Sequence, residues 1–64
     1  MNAYGLQTLY GNAQLRTALE GYTLATLKEM AQTVMERNPG TAPKNRTTKA
    51  AVTDYIVQQL TRRG

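Results

Sequence analysis

Cysteine, histidine, tryptophan and phenylalanine are all missing from this 64-residue chain, and acids are scarce. Without cysteine there is neither a disulfide nor a thiolate metal site, which fits a reducing compartment. Without histidine there is no imidazole base, no Cys–His nucleophile pair and too little material for a zinc site. The carboxylates are Glu20, Glu29, Glu36 and Asp54, well separated in sequence. Glu29 and Glu36 could pair in principle, yet both belong to a solvated helix face, and so small a core cannot sink a cleft between them. The composition argues against an enzyme and implies no cofactor and no metal.

Long apolar runs are also lacking, so no segment is expected to cross a membrane. The start, MNAYGLQTLYG, has neither a basic n-region nor a continuous apolar h-region. The reading is of a soluble, cytoplasmic chain. There is no internal repeat and no low-complexity tract. A single domain, 1–64, is expected, and one of this size buries only about 60% of the surface its unfolded chain exposes.

What the chain has is positive charge: eight basic residues against four acids, a net of +4. Such a surface attracts polyanions, nucleic acid first and anionic membrane second, although the same imbalance also serves solubility. Neither of the longer helices expected below joins a basic face to a bulky apolar one, which argues against a membrane anchor.

Residues 1–11 carry Leu6 and Leu9 with Tyr4 and Tyr10, interrupted by Gly5 and Gly11. They read as an N-terminal arm, irregular or with one short helical turn. Asn12 is then a suitable N-cap for AQLRTALE, which places Leu15 and Leu19 on one side before Gly21 stops it. Thr23 caps LATLKEMAQTVMER, whose Leu24, Leu27, Met30, Ala31, Val34 and Met35 recur at three and four. That helix ends at Asn38-Pro39-Gly40, because a residue before proline is pushed out of the helical region. A last helix starts at Thr47 or Thr48 and runs to about Thr61, with Val52, Ile56 and Leu60 stepping by four.

The expected fold is an all-α, small three-helix domain with a helix-extended loop-helix core over 23–61. Its core would be Leu15, Leu19, Leu24, Leu27, Met30, Val34, Val52, Ile56 and Leu60, with Leu6 or Leu9 as a lid. Tyr55 belongs at the core edge. Tyr4, Tyr10 and Tyr22 would either seal the core from outside or, if exposed, mark an interface.

Leu24-Ala25-Thr26-Leu27-Lys28-Glu29-Met30-Ala31 resembles the first helix of a SAP motif, with leucines three apart before a lysine and a further apolar residue. Thr48-Lys49-Ala50-Ala51-Val52-Thr53-Asp54-Tyr55-Ile56 is similar to the second, where a small polar residue and a lysine open the helix. The paired threonines and the proline-bearing loop look more like the LEM relatives, and the Rho-N-like families share the arrangement. The resemblance implies DNA contact through the loop and the start of the second helix for a SAP-like chain, or a small protein partner for a LEM-like one. The SAP loop glycine before the lysine is absent, its place being taken by Arg46-Thr47-Thr48.

The connection NPGTAPKNRTTKAA holds Lys44, Arg46 and Lys49 and no acid. Physical chemistry alone makes it an anion site. A helix N-terminus offers unpaired N–H groups and the positive end of a dipole, Thr47 and Thr48 can add hydroxyl donors, and the three cations add charge. Lys49 sits where a cation disfavours the helix, and a bound polyanion would remove that penalty. The bland reading is a solvated turn with solubilising lysines. Arg37, Arg62 and Arg63 suit helix C-termini, and Arg16 reads as isolated and solvated.

The expectation is a small DNA-binding accessory protein that contacts phosphates through Lys44, Arg46, Thr47, Thr48 and Lys49. The alternative is a protein-binding adaptor or inhibitor. A homodimer with Met30 or Met35 at its contact is a third possibility.

Overall fold

The computed structural model describes residues 2–62. The elements are α1 (Ala3–Tyr10), α2 (Asn12–Glu20), α3 (Leu24–Arg37) and α4 (Lys49–Thr61). The all-α class holds, but the helices among the described residues number four, and the expected three-helix domain with its N-terminal arm is corrected accordingly.

The extra helix is α1, built from the stretch read as an arm. Asn2 caps it by accepting the Gly5 N–H at 2.9 Å, and Ala3 and Leu6, three apart, turn into the core with almost no exposure. Two glycines argue against a helix by local propensity, and burial of that face overrides them. Gly11 then separates α1 from α2 in one residue. Its φ of 80° is a conformation that residues with a Cβ rarely adopt, and its N–H bonds the Gln7 carbonyl at 2.8 Å.

Asn12 is not the cap of α2. Gly11 occupies that position without a side-chain bond, and Asn12 is the first helical residue. Its Oδ1 instead accepts Gln7 Nε2 at 2.8 Å, while the same amide donates to the Leu60 carbonyl at 2.7 Å in the last turn of α4. One carboxamide thus ties three helices and satisfies a carbonyl that α4 cannot use internally.

Thr23 and Thr48 cap α3 and α4 as their sequence positions suggest, accepting the N–H groups of Thr26 at 3.3 Å and Ala51 at 3.2 Å. Asn38 ends α3 and opens a turn with Pro39 and Gly40 at its centre. Gly40 takes φ 85° and the Thr41 N–H closes onto the Asn38 carbonyl at 3.2 Å. Tyr4 packs at this corner, its ring 4.4 Å beneath the Arg37 guanidinium and its hydroxyl accepting Asn38 Nδ2 at 3.2 Å.

The other three helices all pack on α4. The core is Ala3 and Leu6 of α1, Leu15 and Leu19 of α2, Leu27, Met30, Ala31 and Val34 of α3, and Val52, Tyr55 and Ile56 of α4. Leu24 and Leu60, expected inside, are partly buried at its edge. Leu6 is the lid; Leu9 points outward, 73% exposed.

Candidate nucleic-acid interface

From Asn38 to Thr48 the chain runs back along α4. It begins where Asn38, Pro39 and Thr41 share a shallow pocket with Gln59 and Arg62, passes Tyr55, whose hydroxyl lies 2.6 Å from Thr41 Oγ1, and arrives at the start of α4. A loop so anchored is an ordered surface, and its remaining side chains are presented in defined places.

Asn45 organises the last part. Its Oδ1 accepts the backbone N–H of Thr47 at 3.1 Å and of Thr48 at 3.3 Å, and both threonine hydroxyls at 3.2 and 3.3 Å. This is an Asx turn set directly before an N-cap. The hydroxyl protons expected for a phosphate are therefore committed internally, and Thr48 Oγ1 also accepts the Ala51 N–H. In this structure Thr47 and Thr48 thus direct their hydroxyls to Asn45. The signal in the sequence is Asn45 two residues before a pair of threonines, a spacing that side-chain-to-backbone turns favour.

The cations differ among themselves. Lys44 is exposed with no hydrogen-bond or ion-pair partner among the described residues. Arg46 is exposed too, with Nη2 3.5 Å from the Met35 sulfur and no carboxylate among the described residues within ion-pair distance. Lys49 reaches across to α2, where Nζ donates to the Glu20 carbonyl at 3.1 Å, so part of its role is to cap another helix. At the helix start, Val52 bonds the Thr48 carbonyl, leaving the Lys49 and Ala50 N–H groups as the open backbone donors.

Pro43 separates two grooves. One, of about 420 Å³, lies against α3, with Lys28, Glu29, Gln32 and Arg46 around an apolar lining of Ala31, Met35 and Val52. The other, of about 650 Å³, lies against α4 and holds Lys44, Asn45, Arg16 and Asp54. Arg16 is not isolated: its Nη1 pairs with Asp54 Oδ1 at 2.5 Å. Nothing local in the sequence signals that contact, since the partners stand on different helices.

Glu29 and Glu36 are both exposed on α3, and Glu36 accepts Gln32 Nε2 at 3.5 Å. Arg62 donates to the Gln59 side chain at 3.3 Å and not to a helix carbonyl; Arg63 lies outside the described residues. Among the described residues no group of three or more Asp, Glu, His or Cys side chains could hold a metal ion. No helix among them is long and apolar enough to cross a membrane. Compared with known proteins, the chain matches no family model, no curated protein and no solved structure.

Proposed function

We propose that this chain is a small DNA-binding accessory module that holds the phosphate backbone through Lys44, Arg46 and Lys49, with little reading of base sequence. The observation that carries the reading is the state of the loop: ordered by Asn45 and Tyr55, yet presenting Lys44 and Arg46 to solvent without a carboxylate partner among the described residues. In the groove beside Lys44, by contrast, Arg16 is paired with Asp54. Unpaired cations on an ordered scaffold, beside the open N–H groups of a helix start, suit a fixed row of phosphates. The SAP-like character of 24–31 and 48–56 points the same way without establishing kinship.

The described residues extend 28 Å in their longest direction, so about eight base pairs at 3.4 Å each bound the footprint. Three phosphate contacts give a log–log salt slope of about −2.7, so raising salt from about 50 to about 200 mM lowers affinity roughly 40-fold. Fluorescence anisotropy with a labelled duplex at those two concentrations tests it. Saturable, salt-steep binding that is lost when Lys44, Arg46 and Lys49 are changed together to alanine is the expected result. Binding that survives the triple change overturns it.

A second reading, a protein-binding adaptor, is favoured by the apolar lining of the α3 groove around Met35, which has the character of a slot for one partner side chain. In that case the Met35→Ala variant loses the partner while the triple alanine variant keeps it.

A further inference from the structure

Arg16 of α2 and Asp54 of α4 meet at 2.5 Å in the groove that Lys44 and Asn45 line from the loop side. Both partners stay open to water, their side chains 49% and 63% exposed, and an exposed pair of this kind exchanges readily for another anion. Asp54 engages one guanidinium nitrogen, and the other donors of the fork remain for a second acceptor. The groove is open to solvent along one side, so an extended backbone can lie in it without being enclosed.

We infer that the nucleic-acid backbone runs through this groove, with one phosphate taking over Arg16 and with Asp54 serving as a built-in competitor that holds Arg16 in place when the groove is empty. The inference rests on the function proposed above and adds a fourth cation and a restraint to it. Arg16 and Lys44 line the same groove, so a strand held by Lys44 there has Arg16 as a second cation of that groove. The restraint has a consequence: a competitor that must be displaced weakens binding, so occupancy follows the local DNA concentration.

The test compares charge changes inside the groove with equal changes outside it, using a labelled duplex of about 16 base pairs, longer than the footprint bounded at 3.4 Å per pair. Arg16→Gln should reduce the salt slope by about 0.9, the loss of one phosphate contact, whereas Arg37→Gln, a cation stacked on Tyr4, should leave it nearly unchanged. Asp54→Asn should tighten binding about threefold at about 50 mM salt, as removal of a unit charge several ångströms from a phosphate requires. Glu36→Gln, with the same change in net charge on α3, should do markedly less. All four positions are exposed, and circular dichroism of each variant verifies retained helix content.

If the parent binds and the Lys44, Arg46 and Lys49 variant does not, but Arg16→Gln matches Arg37→Gln and Asp54→Asn matches Glu36→Gln, the groove path is wrong and the loop site stands. Equal binding of polyglutamate and duplex, matched for charge, would replace the phosphate by an acidic protein and overturn the path as a nucleic-acid track. A parent that binds no duplex at the lower salt overturns both.

Discussion

The hydroxyls of Tyr55 and Thr41 lie 2.6 Å apart, joining the middle of α4 to the connection that leads into it. Tyr55 is otherwise a core residue, 4% exposed, so a single side chain both fills the interior and fixes the loop. Tyr55→Phe keeps the ring and removes the tether. Stability should fall by about 1 kcal/mol in urea unfolding, the usual net value of one hydrogen bond. Amide exchange should quicken at Thr41 and its neighbours and stay nearly unchanged in α2.

Asn45 is exposed and bonds only within the loop, so its replacement should separate loop order from fold. Asn45→Ala removes the acceptor of four donors, and DNA affinity should fall while the melting temperature moves little. Asn45→Asp restores the acceptor but sets a negative charge beside Lys44 and Arg46. It should recover the loop's amide protection without recovering binding. Equal binding by both variants and the parent would show that loop order is irrelevant to the site.

Lys49 and Lys44 should differ although both are cations of one loop. Lys49 donates to the Glu20 carbonyl and Lys44 has no partner among the described residues. Lys49→Ala should lower DNA affinity and lose the contact with the Glu20 carbonyl at the end of α2, a cost of roughly 0.5 kcal/mol that removal of a cation from the start of α4 partly offsets. Lys44→Ala should lower affinity alone. Thermal unfolding and anisotropy on the same two samples make the comparison.

Glycines five and eleven carry opposite expectations. A Cβ at Gly11 has room but must take φ 80°, so Gly11→Ala should destabilise by about 1 kcal/mol. A Cβ at Gly5 meets only Asn2 Oδ1, at an ordinary 3.7 Å, inside a helix that alanine favours. Gly5→Ala should stabilise by about 0.5 to 1 kcal/mol. Urea midpoints that move in the same direction would count against the helical account of α1.

Much of the fold is legible in near neighbours along the chain. Thr23 and Thr48 stand as caps before apolar stripes, and Leu27, Val34, Val52 and Ile56 recur at helical spacing, so α3, α4 and most of the core follow from local pattern. The arm reading fails because Gly5 and Gly11 weigh against helix locally, while the burial of Ala3 and Leu6 that decides the matter depends on helices elsewhere in the chain. Leu6 and Leu9 are indistinguishable as lids for the same reason. Lys44 and Arg46 are legible as cations of an acid-free loop, and their exposure follows from the polar stretch around them. The commitment of the Thr47 and Thr48 hydroxyls to Asn45 turns on rotamers, and the Arg16–Asp54 pair turns on how α2 crosses α4.

Every other helix leans on α4, and the loop that leads into it together with the first residue of the helix exposes Lys44, Arg46 and Lys49 within six residues. A trypsin-like protease therefore meets its preferred cleavage points beside the element on which the rest depends. One cut there leaves α4 held by non-covalent contacts, and a domain this small keeps little in reserve when a covalent link becomes an association. DNA lying over the same residues would shield them from cleavage.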